Sequence, residues 1–129
     1  MLDTNLCIRV LRDRPAAIGA RFQQEVEALS MSTIVLYELL YGAARSDRPA
    51  FHRERVEDFA SRLVVLPFDD AASDHAADIK RDLAGRGLLI GPHDLLIAGH
   101  ARSLGLKLIT GNLQEFSRVD GLRSEDWLA

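Results

Sequence analysis

The stretch that decides the fold is residues 92–112, PHDLLIAGHARSLGLKLITGN. Pro92 suits the first turn of a helix, and the predicted helix runs to about Leu104, where Gly105 ends it. Leu106–Thr110 is then a run of strand length, and polar residues follow it directly. A helix that leads through a glycine into a short strand is a unit of an α/β fold.

The same alternation continues through the rest of the chain. Further short strands are predicted at Met1–Leu2, Leu29–Met31, Leu63–Leu66 and Leu122–Arg123. Helices are predicted over about residues 4–12 (with Thr4 or Asn5 as the cap), 15–28, 33–44, 49–61, 70–86 and 113–116. This pattern predicts an α/β fold in which helices cover both faces of a parallel sheet. In such a sheet, ligands bind at the carboxyl ends of the strands.

Composition and charge narrow the class of protein. The 129 residues fit one domain, residues 1–129, with one core. The net charge of −3 argues against a protein that binds nucleic acid through bulk positive charge. Cys7 is the only cysteine, which excludes an internal disulfide and fits a reducing compartment. The sequence shows no signal peptide and no apolar stretch of the ~20 residues that a membrane span needs, so we expect a cytoplasmic location.

Three acidic residues each provide the only formal charge of an otherwise uncharged stretch, with histidine taken as neutral: Asp3 in residues 1–8, Glu38 in 31–44 and Asp94 in 87–101. Burying an ionised carboxylate without a partner is very costly. The simplest explanation is that the three carboxylates converge on a cation. Without the cation they would repel each other, and at least one should then have a raised pKa.

Each of these residues also has an ordinary structural explanation. Glu38 could be a buried acid bonded to backbone amides or to a tyrosine hydroxyl. Asp3 and Asp94 could cap helices or complement their dipoles. Asn112, which follows the strand through Gly111, could belong to a plain turn. Against this, Asp3, Thr4 and Asn5 place three oxygen-bearing side chains directly after a strand, and Mg²⁺ and Mn²⁺ prefer oxygen ligands.

Four segments together carry a family resemblance: MLDTN at 1–5, ELLYG at 38–42, GPHDLLIAGHA at 91–101 and ITGNLQEF at 109–116. Their order and flanking residues resemble a PIN domain. More narrowly, the chain resembles the VapC-type toxins of bacterial toxin–antitoxin pairs. The resemblance covers essentially the whole chain.

The resemblance implies a PIN-like three-layer sandwich with a short central, mainly parallel sheet flanked by helices. It implies a Mg²⁺- or Mn²⁺-dependent endoribonuclease that hydrolyses RNA and leaves a 5′-phosphate. The acidic site falls on Asp3, Glu38 and Asp94, and the family's fourth position, an Asp or Asn, falls on Asn112. Asp3 and Asp94 would bind the metal, Glu38 would hold metal-bound water, and Asn112 would position water or a phosphate oxygen. Thr110 matches the family's supporting hydroxyl residue.

The resemblance also implies partners. These are an RNA substrate and a small antitoxin that blocks the acidic cleft and often carries a DNA-binding dimer domain. Operator DNA would be bound only through that antitoxin. A homodimer and a toxin–antitoxin hetero-oligomer are expected, and a membrane is not.

Two alternatives remain open from the sequence. A haloacid-dehalogenase-like phosphatase would use Asp3 as its nucleophile and Lys107 as its lysine, although Asn5 stands where that family has a second Asp. A non-catalytic PIN-like module would bind RNA or a partner, independently of Mg²⁺, and leave the RNA whole.

Overall fold

The computed structural model describes residues 1–13 and 16–127. Its helices are α1 (Thr4–Asp13), α2 (Ala16–Glu25), α3 (Thr33–Ala44), α4 (Pro49–Ser61), α5 (Asp70–Gly85), α6 (Pro92–Ser103) and α7 (Leu113–Phe116). Its strands are β1 (Ser30–Ser32), β2 (Val64–Leu66), β3 (Leu108–Ile109) and β4 (Ser124–Glu125). The α/β class expected from the sequence is confirmed.

The amino-terminal residues join two pairs of strands into one layer. β1 pairs in parallel with β2, and β3 pairs in parallel with β4. The Leu2 N–H donates to the Ser30 carbonyl at 2.8 Å, and the Asp3 N–H donates to the Ile109 carbonyl at 3.0 Å. Residues 1–3 therefore lie between β1 and β3. The bridge between Leu2 and Ile109 is also parallel, so Asp3 emerges at the edge where β3 ends.

The predicted strands shift slightly in the structure. β3 keeps only the centre of the predicted Leu106–Thr110 strand. The last strand is Ser124–Glu125 and not Leu122–Arg123, so that prediction was wrong. The reason is the register, because the Arg123 and Glu125 carbonyls accept from the backbone of β3 and of the residue after it. The Leu122 N–H instead closes a turn on the Val119 carbonyl at 3.4 Å.

The first helix begins differently from the prediction. The cap is Asp3, whose Oδ1 accepts from the Leu6 N–H at 2.9 Å, and neither Thr4 nor Asn5. The Thr4 hydroxyl is taken by Glu38, 2.6 Å away, and Asn5 is exposed. Farther on, α2 ends at Glu25, and a 3₁₀ turn covers Val26–Ala28. The predicted start of α2 at Pro15 lies outside the described residues.

Close packing of α5 on α6 fixes the position of the helix that carries Asp94. Gly99 allows this packing, because a Cβ at that position would lie 2.6 Å from the Ala76 backbone nitrogen. The most deeply buried apolar side chains include Leu2, Met31, Val35, Ile79, Leu83, Ile97, Leu108 and Phe116. Among the described residues, no helix has the length and apolar character needed to cross a membrane.

Candidate functional site

Asp3 lies at the carboxyl end of the amino-terminal strand segment and is 2% exposed. One carboxylate oxygen caps α1 through the Leu6 N–H, and the other accepts a short hydrogen bond from the Thr110 hydroxyl. Burial raises the pKa of Asp3, with smaller upward effects from Glu38 and Asp126, while the two hydrogen bonds oppose the rise. The carboxylate is therefore held rigidly in a place where its charge is disfavoured.

Thr110 follows β3 and fixes two neighbours at once. It is fully buried, and its hydroxyl donates to Asp3 while accepting from the Asn112 N–H at 2.9 Å. The supporting position predicted for Thr110 thus has a physical basis. The residue ties the end of β3 to the carboxylate of Asp3.

Glu38 reaches the same place from the middle of α3. Its Oε1 accepts from the Thr4 hydroxyl at 2.6 Å, and its Oε2 lies 3.4 Å from His93 Nδ1. Its side chain is 25% exposed, so the carboxylate is only partly buried. Within the described part of the chain, its partners are thus a threonine and a histidine, and not the backbone amides or tyrosine hydroxyl of a purely structural acid.

Asp94 enters from the first turn of α6 and meets the other acids. Burial first, and then a hydrogen bond and repulsion from Glu115, raise the pKa of Asp94 to about 7, with Asp3 and Glu38 contributing. Gly91 leaves room for this carboxylate, because a Cβ there would lie 3.2 Å from Asp94 Oδ2. The raised pKa expected for at least one of the crowded acids is thus found at Asp94.

Asn112 is placed at the start of α7, and it touches the site through another acid. Its side-chain nitrogen donates to Glu115 Oε2 at 2.9 Å. Glu115 in turn interacts with Asp94 and raises its pKa. The structure therefore brings all the predicted site residues together, directly or through one intermediate side chain.

Glu115 and Asp126 are the acids that the sequence analysis missed. Glu115 belongs to a polar stretch, NLQEF, so it does not stand out as an isolated charge. The signal that could have found it is its position three residues after Asn112, which places both on one face of α7. Asp126 follows β4, and its charge raises the pKa of Asp3.

The chemistry of these donors fits a hard divalent cation. Asp3, Glu38, Asp94 and Glu115 offer carboxylate oxygens, and their negative charges act on one another. Within residues 1–13 and 16–127, however, no three His, Cys, Asp or Glu side chains are already drawn together as a ligand set. A cation bound here would offset the charge repulsion that raises the pKa of Asp94.

The fold and the site together define an α/β protein with an acidic site at the carboxyl edge of a parallel sheet. The family model described as the PIN domain matches residues 1–122. The chain belongs to the PIN domain family, and within that family its relatives are VapC proteins.

Two curated relatives illustrate the similarity. The tRNA(fMet)-specific endonuclease VapC of Shigella flexneri is 46% identical over 127 residues, which cover 98% of this chain and 96% of that protein. Ribonuclease VapC2 of Haemophilus influenzae is 44% identical over 128 residues, which cover 99% of this chain and 97% of that protein.

The chain is also similar in structure to solved VapBC proteins. The DNA-bound VapBC of Salmonella typhimurium has a TM-score of 0.96 and 46% identity, covering 98% of this chain and 96% of that one. VapBC2 of Rickettsia felis, bound to a DNA fragment from its promoter, has a TM-score of 0.94 and 32% identity, covering 98% of this chain and 97% of that one. The PIN fold expected from the sequence is confirmed.

Proposed function

We propose that this chain is an endoribonuclease, the toxin of a type II toxin–antitoxin pair, which hydrolyses RNA phosphodiester bonds at an acidic Mg²⁺ or Mn²⁺ site. The observation that carries the proposal is the convergence of Asp3, Glu38, Asp94 and Glu115, with the pKa of Asp94 raised to about 7. Repulsion between these carboxylates destabilises the folded protein without metal, and a bound cation would relieve it.

Each site residue has a proposed role that follows from its position. Asp3 and Asp94 are the proposed metal ligands, and Thr110 holds the carboxylate of Asp3 in place. Glu38 accepts from Thr4 and keeps one oxygen near His93, which leaves it suited to orient a water molecule. The bound cation supplies a more acidic water and offsets charge on the phosphate. Asn112 donates to Glu115 and so holds that carboxylate at the edge of the site formed by α7.

The substrate proposal rests on the relatives. VapC of Shigella flexneri and VapC of Salmonella typhimurium, each 46% identical over nearly the whole chain, are named as specific for tRNA(fMet). We therefore place initiator tRNA first among the candidate RNAs for this chain. An acidic site needs a cation to approach a phosphate backbone, and the net charge of −3 gives no bulk attraction of its own.

The proposed partner is an antitoxin, because the similar structures from Salmonella typhimurium and Rickettsia felis are VapBC proteins bound to DNA. A groove of about 320 Å³ is lined by residues of α1, α3 and α4, and its lining includes Glu38, apolar side chains and arginines. A peptide with apolar and acidic side chains would fit it and reach the acidic site. In this proposal residues 1–129 act as one cytoplasmic domain, as a homodimer and in complex with the antitoxin, which alone binds operator DNA.

Of the two alternatives, the PIN family match overturns the haloacid-dehalogenase-like phosphatase. The non-catalytic module is separated from the nuclease by experiment. Purified protein free of antitoxin would be incubated with total bacterial RNA and with purified initiator tRNA, in Mg²⁺, in Mn²⁺ and in EDTA. Discrete fragments that require the metal would support the nuclease, and metal-independent binding of intact RNA would support the module.

The control for that assay is a matched pair of substitutions. Asp3→Asn keeps an oxygen that can cap α1 but removes the charge, and we expect it to abolish cleavage. Asp78→Asn removes an exposed acid on α5, paired with Arg81 and Arg102, and we expect it to leave cleavage unchanged. Equal activity in both variants would contradict the assignment of the site.

A further inference from the structure

Two exposed aromatic rings stand at the rim of the acidic site. Tyr37, on α3, is 55% exposed, and the side chain of His93, on α6, is 47% exposed. Their ring centroids lie 5.6 Å apart, with an angle of 84° between the planes. The two rings therefore stand edge to face, and we call this pair the aromatic corner.

The aromatic corner adjoins the proposed catalytic carboxylates on both sides. Tyr37 precedes Glu38 and His93 precedes Asp94 in the sequence. The imidazole of His93 also lies 3.4 Å from Glu38 Oε2, which fixes the ring against the acid. A phosphate bound through the proposed cation beside Glu38 and Asp94 would thus have its neighbouring nucleotide within reach of both rings.

The exposed face of α3 continues away from the corner. Tyr41, one helical turn after Tyr37, is 59% exposed, and Arg45, a further turn on, places its guanidinium 5.5 Å from the Tyr41 ring centroid. The face that leaves the acidic site therefore carries aromatic rings followed by a positive charge. Aromatic stacking surfaces combined with cations are typical of proteins that bind single-stranded nucleic acid.

We propose that the Tyr37 ring stacks on an unpaired nucleobase of the RNA next to the scissile phosphate, that the perpendicular ring of His93 borders the edge of that base, and that Tyr41 and Arg45 receive the strand beyond it. The inference rests on the proposed ribonuclease function and adds residues that position its substrate. A base within a helix keeps its faces covered by its neighbours, whereas unpaired bases of loops can stack on aromatic side chains. The corner thus selects an unpaired segment of RNA over a duplex.

The test removes the nucleobase from the RNA and the Tyr37 ring from the protein in separate experiments. A short RNA loop that the protein cleaves would be made with a single abasic nucleotide at each position around the cut. For the wild-type protein, we expect one position next to the cut to lower kcat/KM about 5- to 150-fold, which corresponds to the stacking of one base. Tyr37→Ala should lower kcat/KM of the intact RNA by a similar factor, and should lose its sensitivity to that abasic position.

The control variants separate the loss of the aromatic ring from a disturbance of the acidic site. Tyr37→Phe retains an aromatic face and should retain most of the wild-type rate and the abasic sensitivity. Phe51→Ala removes an aromatic side chain that is 43% exposed on α4, and should leave both unchanged. His93→Ala also removes a neighbour of Glu38, so the inference is decided by the Tyr37 variants and by the abasic series.

The outcomes separate this inference from the proposed function. If the wild-type protein cleaves RNA and no abasic position next to the cut matters, or if Tyr37→Ala cleaves at the wild-type rate, the aromatic corner has no role in stacking and the ribonuclease proposal stands. If Tyr37→Ala instead changes the sedimentation of the protein and keeps its abasic sensitivity, the face belongs to a second copy of the chain. If the wild-type protein cleaves no RNA in any metal, both proposals fail.

Discussion

The carboxyl groups of Asp94 and Glu115 interact across the acidic site, although the two residues lie on different helices. Two carboxyl groups can hydrogen-bond only when one of them carries a proton. Burial and this neighbour raise the pKa of Asp94 to about 7, so the pair keeps a proton at pH values where a free carboxyl group has lost its own. The metal-free site thus holds a proton where the proposed cation would neutralise charge, which links stability, pH and metal binding.

Asp94→Asn is expected to stabilise the metal-free protein, and increasingly so as the pH rises. The pKa of Asp94 is raised from 3.8 to about 7, so between those values the folded chain holds a proton that the unfolded chain has lost. Stability therefore falls as the pH rises from about 4 towards 7. The amide introduced by the substitution can still donate to Glu115 but never ionises. After a discount for solvent screening, we expect a gain of about 1–2 kcal/mol at pH 8, or roughly 3–8 °C in Tm.

The measurement is the difference in Tm between Asp94→Asn and the wild-type protein, in EDTA, from pH 4 to pH 8. Asp78→Asn provides a control of the opposite sign, because the hydrogen bonds of Asp78 to Arg102 and Arg81 lower its pKa. Asp78 is exposed, so its effect should be small. A Tm difference for Asp94→Asn that does not grow with pH, or that is negative throughout, would refute the charge-repulsion argument.

Divalent cations are expected to stabilise the wild-type protein through the acidic site. A ligand at one hundred times its Kd that binds only the folded state contributes about 2.7 kcal/mol. Mg²⁺ or Mn²⁺ should therefore raise Tm by several degrees at pH 7.5, compared with KCl at equal ionic strength. Asp3→Asn should lose most of that gain, and Asp78→Asn should keep it. An equal gain in all three proteins would mean that the cation binds elsewhere.

Removal of the Thr110 hydroxyl is expected to disturb both stability and activity. Thr110→Val takes a donor from Asp3 and an acceptor from the Asn112 N–H, and should cost about 1–3 kcal/mol. It should also push the pKa of Asp3 higher and lower the cleavage rate. Thr33→Val is the matched control, because the Thr33 hydroxyl accepts from the Phe68 N–H at 3.0 Å rather than bonding a carboxylate of the acidic site. Urea unfolding and cleavage rates would be compared, and an equal loss of cleavage in both variants would contradict a specific role for Thr110.

Gly99→Ala is expected to destabilise the fold through a backbone clash. Its Cβ would lie 2.6 Å from the Ala76 nitrogen, so α5 and α6 would have to move apart, at a cost of about 1–3 kcal/mol. Gly42→Ala is the control within a helix, because its Cβ meets nothing within 4 Å, and it should gain about 0.4–1 kcal/mol. Urea unfolding would measure both. A neutral Gly99→Ala would show that the two helices are not in tight contact.

Much of the site was visible in the sequence because burial makes an isolated charge conspicuous. Asp3, Glu38 and Asp94 each interrupt an otherwise uncharged stretch, and the structure brings them together. Glu115 lies among polar residues, and only the fold shows that it meets Asp94. The sequence analysis offered Asp3, Thr4 and Asn5 as possible helix caps, and only the structure shows that Asp3 caps α1.

The helices were easier to predict than the strands. Pro92 and Gly105 mark the ends of one helix chemically, and the structure follows them within about a residue. The strands are only two or three residues long, so their positions depend on pairing partners distant in the chain. The last strand moved from Leu122–Arg123 to Ser124–Glu125 because its register is set by β3. A local pattern contains no information about that pairing.

The central claim is that the acidic site cuts RNA with the help of a divalent cation. The most direct test is the rate of RNA cleavage in Mg²⁺ by the wild-type protein and by Asp94→Asn, measured beside their melting temperatures. We predict cleavage by the wild-type protein that EDTA abolishes, and no cleavage by Asp94→Asn even though that variant melts at a higher temperature than the wild-type protein in EDTA, so that loss of folding cannot explain its inactivity. Cleavage by Asp94→Asn at the wild-type rate, or equal cleavage by the wild-type protein in EDTA, would contradict the claim.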